Sequence, residues 1–88
     1  MKIRPKEIDA VSSVVLQLLK ERREELGISG AELANRAGLN QSAVSLLDRG
    51  LRKPTLDTLL RFCVVFEIEL GEVLIRAKGQ AGKPGHER

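Results

Sequence analysis

The sequence predicts an all-α domain of five short helices. Three observations carry this. Apolar residues recur at helical spacing from Ile8 to Leu74. Glycines stand where the successive runs stop, at Gly27, Gly38 and Gly50. Good capping residues, Ser29, Asn40 and Thr55, open the runs that follow. A chain of 88 residues makes one small domain with a thin core. Phe62 and Phe66 are the only aromatics, so Leu, Val and Ile must fill that core.

The first run places Ile8, Val11, Val15, Leu18, Leu19 and Leu26 on one side, with Val14 beside them. The charged segment "KERREE" covers its exposed face, with opposite signs at helical neighbours. Ahead of it, residues 1–7 carry Pro5 and basic side chains without apolar period, and read as a flexible arm. Ser29 with Glu32 forms a capping box for the second helix, whose buried face is Leu33, Ala34 and Ala37. Asn40 caps the third, which runs to about Asp48 with Ala43, Val44 and Leu47 inside. Thr55 caps a fourth helix over 56–66, and Asp57 suits its positive end. Glu69 to about Arg76 reads as a fifth helix. Its β-branched content leaves an edge strand as the alternative. Residues 78–88, "KGQAGKPGHER", have Gly, Pro and charge but no period, and read as a disordered tail. The domain is therefore expected over residues 8–77.

Composition restricts function. The net charge of +3 permits a polyanionic partner without demanding one. The single cysteine, Cys63, allows no intrachain disulfide, fits a reducing compartment and lies in an apolar run as a core residue. No apolar run approaches the ~20 residues of a membrane span, and "MKIRPKEID" lacks the apolar segment of a secretory signal. A cytoplasmic protein is expected. One His and one Cys make no convincing nucleophile–base pair or metal site, and "KGQAGKPG" neither follows a strand nor opens a helix. No catalytic residue, cofactor or metal is expected, and an enzyme is not.

The stretch "AELANRAGLNQSAVSLLDRG" carries the positive reading. Its two helices are shorter than the ~12–15 residues at which an isolated helix is marginally stable. They must be held by packing on each other and on the first and fourth helices. Two such helices joined through a Gly turn make a helix-turn-helix. Ala34 is small and permits close approach, Gly38 supplies the left-handed turn, and Val44 and Leu47 are buried between the helices. Gln41, Ser42, Ser45, Leu46 and Arg49 are left facing outward. Such a face can lie in the major groove, where Gln pairs bidentately with adenine, Ser bonds either kind of group, and Leu46 meets a thymine methyl. Taken alone, a Gln/Ser face is also an ordinary solvated surface. The small residue, turn glycine, buried Val, two caps and basic loop "LRKP" fall in one register, and that combination favours DNA.

With "LLKERREELGIS" before it and "KPTLDTLLRFCVVFEIELGEVL" after it, residues 13–76 resemble the Cro and lambda-repressor-like (XRE-type) helix-turn-helix regulators without a gap. The resemblance implies a compact five-helix lambda-repressor-like domain whose third helix is the recognition helix. It makes Gln41, Ser42, Ser45 and Leu46 the base-reading residues and puts Asn40, Arg49, Arg52 and Lys53 against the phosphate backbone. An ordinary solvated loop is the alternative for Arg52 and Lys53. It also implies an ion pair between Arg23 of the first helix and Asp48 at the end of the recognition helix.

Three positions depart from the family pattern. Gly30 stands where a phosphate-touching Gln is usual, Leu46 where the residue is usually polar, and Val64 where it is usually charged. The fourth helix is apolar nearly all round, so Phe62, Val64 and Val65, with Ile75 of the fifth helix, are candidates for a homodimer interface through these two helices. The alternative is that the N-terminal half of the first helix covers this face. The expected function is sequence-specific binding of double-stranded DNA by a dimeric repressor on a pseudo-palindromic operator. The alternative is an antitoxin or other protein-interaction module with a protein partner such as a toxin.

Overall fold

The computed structural model describes residues 3–81. Among these are five α-helices and no strand: α1 (Ile8–Glu25), α2 (Gly30–Ala37), α3 (Gln41–Asp48), α4 (Leu56–Phe66) and α5 (Leu70–Ala81). α1 packs chiefly along α5, α2 on α3 and α4. The core between them joins Val11, Val15, Leu18 and Leu19 of α1 to Leu33, Ala34 and Ala37 of α2 and Val44 and Leu47 of α3. Ile28 of the turn before α2, Phe62, Cys63 and Phe66 of α4 and Val73 and Ala77 of α5 complete it. No described helix is long and apolar enough to cross a membrane. Burial pushes the Cys63 thiol up from its ordinary pKa, which keeps it protonated and unreactive.

Four helix ends share one device. At Gly27, Gly38, Gly50 and Glu67 the backbone turns left-handed, and the next amide reaches back over the last turn. Ile28 N–H donates to Arg23 O (3.1 Å), Leu39 to Ala34 (2.8 Å), Leu51 to Leu46 (2.9 Å) and Ile68 to Cys63 (3.1 Å). This is the Schellman closure, which satisfies carbonyls the helix leaves open. Glu67 makes the same turn with φ 57° and no glycine.

Helical structure extends past both ends of the stretch 8–77. Within the expected flexible arm, Pro5–Glu7 form a 3₁₀ turn and Ile3 packs on the core. One apolar side chain among the charges is enough to anchor the segment. At the other end α5 runs to Ala81, past the expected start of a tail at 78. Ala77 is fully buried and Ala81 packs on the core, continuing the inner stripe of Val73 and Leu74. That packing against α1 outweighs the ~1 kcal/mol a mid-helix glycine costs at Gly79. The same burial decides for helix against strand over 69–76. The first two residues of the arm and residues 82–88 of the tail, with His86, lie outside the described residues.

α4 is not uniformly apolar in its surroundings. Its inner stripe is Phe62, Cys63 and Phe66, with Leu59 packed beside it. Phe62 is 4% exposed, so it belongs to the core and is no surface candidate. A second stripe, Leu56, Leu60 and Val64, points outward at 65%, 48% and 78% exposure. α1 does not cover it: these side chains stay exposed, and α1 packs chiefly along α5. Val65 is half-buried, and Ile75 of α5 is exposed.

Candidate nucleic-acid interface

The interface is built on two eight-residue helices, and each is closed at both ends by its own sequence. Ser29 Oγ accepts the Glu32 amide at 3.0 Å and opens α2. The reciprocal half of the expected capping box is not made, since the Glu32 carboxylate turns to Arg36, one helical turn on. Asn40 Oδ1 accepts the Ala43 amide at 2.8 Å and opens α3. Between the helices Gly38 sits at φ 73°, where an L side chain is strained.

Packing then fixes which side of α3 faces in. Val44 and Leu47 are buried, at 1% and 5% exposure, against Ala34 and Leu33 of α2 in the core. Gln41, Ser42 and Ser45 are consequently exposed, and Leu46 is half-buried. Arg49 follows the last turn of α3, and Arg52 and Lys53 stand exposed on the loop beyond it. Three exposed cations thus follow α3 in the chain. Gly30 begins α2 above Val44. A Cβ there would meet the Val44 methyl at 3.8 Å, an ordinary contact, so steric need does not explain this glycine.

Arg23 and Asp48 meet at 2.9 Å. The Arg23 side chain is only 12% exposed, and it also donates to the Ile28 carbonyl at 3.1 Å. One guanidinium therefore joins α1, the turn before α2 and the end of α3. Lys53 is not free of partners: its ammonium lies 2.8 Å from Asp9 at the start of α1. That hydrogen bond and charge hold the Asp9 carboxyl below its ordinary pKa. Both side chains are almost fully exposed, so the pair is weak and a phosphate can displace it.

Two features were missed in the sequence. Leu56 and Leu60 join Val64 in the exposed stripe, and their spacing of four residues was there to be read. Arg61 of α4 pairs with Asp57 at 2.7 Å and donates to the Ala37 carbonyl at 2.8 Å, at the end of α2. The first contact is a legible i, i+4 pair. The second spans 24 positions and has no local signal. Among the described residues no cluster of His, Cys, Asp and Glu could hold a metal ion.

Comparison with known proteins agrees with this geometry. The helix-turn-helix family profile matches residues 19–73, more than half of the chain, and spans α2, the turn, α3 and α4. No curated protein and no solved structure matches the chain significantly. With the two capped helices, the glycine turn and the packed inner face in place, the chain belongs to the Cro and lambda-repressor-like (XRE-type) helix-turn-helix family of DNA-binding transcriptional regulators.

Proposed function

We propose that the chain is a cytoplasmic, sequence-specific repressor that binds a pseudo-palindromic operator as a homodimer. The observation that carries the reading is the division of α3, with Val44 and Leu47 sealed in the core and Gln41, Ser42 and Ser45 exposed on the opposite side. In the groove Gln41 reads adenine, Ser42 and Ser45 bond neighbouring base edges, and Leu46 adds apolar contact. Arg49, Arg52 and Lys53 hold phosphates, joined by the Asn40 amide nitrogen, since its oxygen is taken by the cap. The Arg23–Asp48 pair sets the angle of the recognition helix.

Repression follows from occupying a promoter and excluding polymerase. The dimer uses the exposed stripe of α4, Leu56, Leu60 and Val64, with Val65 at its edge and Ile75 of α5 as a further exposed residue. Two recognition helices related by a two-fold axis would then read half-sites about one DNA turn, ~34 Å, apart. The same stripe supports a second reading, an antitoxin-like module that binds a protein partner such as a toxin through α4.

Selection of sites from a randomised duplex pool at physiological salt tests this directly. An inverted repeat with half-sites about ten base pairs apart is the expected product. Recovery of unrelated sequences by folded protein would exclude base readout and leave the protein-interaction module.

A further inference from the structure

We propose that Arg61 is a positioning residue for the recognition helix, acting on the turn between α2 and α3 from outside the helix-turn-helix. This rests on the DNA-binding reading of α3. The Schellman closure at Gly38 satisfies the carbonyls of Ala34 and Asn35 through the amides of Leu39 and Gly38. The Ala37 carbonyl has no place in that pattern. It receives Arg61 Nη1 at 2.8 Å instead, while Arg61 Nε donates to Asp57 at 2.7 Å.

The carbonyl gripped is the informative one. Ala37 O belongs to the peptide plane between Ala37 and Gly38. Rotation of that plane changes ψ of Ala37 and φ of Gly38, the torsions that set the direction of everything after α2. A charge-assisted bond to this oxygen, from a guanidinium carried on α4, restrains the hinge itself. Glycine and arginine are also matched in space. A Cβ at Gly38 would stand 3.0 Å from Arg61 Nη1, so any larger residue there would push the guanidinium back by a few tenths of an ångström.

The arrangement pairs with Arg23 at the opposite end. Arg23, from α1, holds Ile28 O and Asp48, and Arg61, from α4, holds Ala37 O and Asp57. The recognition helix is thus restrained at its last turn by one flanking helix and at its entry by another. Arg61 touches neither base nor phosphate in this role. It determines the angle at which Gln41, Ser42 and Ser45 are presented.

The test uses Arg61→Met, Arg61→Lys and Gly38→Ala in the full chain. Residual dipolar couplings, measured without DNA, report the direction of α3 relative to α1. In Arg61→Met the α3 couplings should depart from those of the parent, with Arg61→Lys in between. At a temperature where each variant is fully folded, Arg61→Met should lose roughly tenfold in affinity for the selected operator. Its salt dependence should stay parallel to that of the parent. Gly38→Ala should cost less in the Arg61→Met background than in the parent, because the contact it makes is gone. Unchanged α3 couplings in Arg61→Met overturn the proposal whether or not DNA binds. So does a salt slope that falls by about one unit, which would make Arg61 a phosphate contact. A parent chain that selects no operator defeats the DNA reading instead, and the couplings still decide the role of Arg61.

Discussion

α3 and α4 each turn one side to the core and one to solvent, and their outer sides are opposite in character. α3 presents Gln41, Ser42 and Ser45 beside Arg49, Arg52 and Lys53. α4 presents Leu56, Leu60 and Val64. The inner sides are alike, Val44 and Leu47 in one and Phe62, Cys63 and Phe66 in the other, all buried. Burial accounts for the inner stripes completely and says nothing of the outer ones. A face of hydrogen-bonding groups followed by exposed cations suits the edge of a polyanionic duplex. An apolar stripe suits a dry interface with protein, because water gains nothing from it. The contrast teaches that two successive helices with like inner stripes carry outer faces of opposite character, and the proposed DNA contact and the proposed dimer draw on different ones.

The comparison can be broken hardest from inside. Leu47→Ala removes an inner-face side chain that holds α3 against the core. It should cost about 2–5 kcal/mol in denaturant unfolding, a large share of what so small a domain has. A loss under 1 kcal/mol would mean that α3 is held by something other than its inner stripe. Asp48→Ala acts at the end of the same helix and strands the nearly buried Arg23 guanidinium with Ile28 O alone. Thermal and urea unfolding should show roughly 1–3 kcal/mol lost. An unchanged melting temperature would remove the structural role of the pair.

Outer-face substitutions sharpen the contrast, because they should change binding and leave folding alone. Gln41→Ala should weaken the specific site by roughly 1–3 kcal/mol and relax preference at one base position. Arg52→Ala should weaken all sequences alike and lower the salt slope by about 0.9. If titrations show Gln41→Ala behaving like Arg52→Ala, Gln41 reads no base. Val64→Lys has the smallest expected effect on the fold, within about 0.5 kcal/mol, because Val64 is 78% exposed. Sedimentation should nevertheless show the dimer lost and single half-sites still bound. A dimer that survives Val64→Lys lies on another surface.

The limits of legibility follow from the range of the interactions. The position of α2 and α3, their Ser29 and Asn40 caps, the Gly38 turn and the inner stripe all depend on residues within a few positions of one another. Periodicity and capping chemistry are local, so they can be read along the chain. The outer face of α3 was legible for the same reason, as the complement of its inner stripe. α4 was not, since two apolar stripes on one helix give no local signal of which is buried. The full-length α5 was obscured by Gly79, whose poor helix propensity is overridden by Ala77 and Ala81 packing.

By itself, then, the sequence determined the element order from α1 to α4, the helix-turn-helix and which side of α3 is left exposed. Tertiary structure alone decided that Phe62 turns inward while Leu56, Leu60 and Val64 stay out. It alone ran α5 to Ala81, brought Lys53 to Asp9 and put Arg61 on the Ala37 carbonyl. These last contacts join residues 44 and 24 positions apart. Such pairs exist only after the core has chosen how the helices pack, and no window of the sequence contains both partners together with the reason they meet.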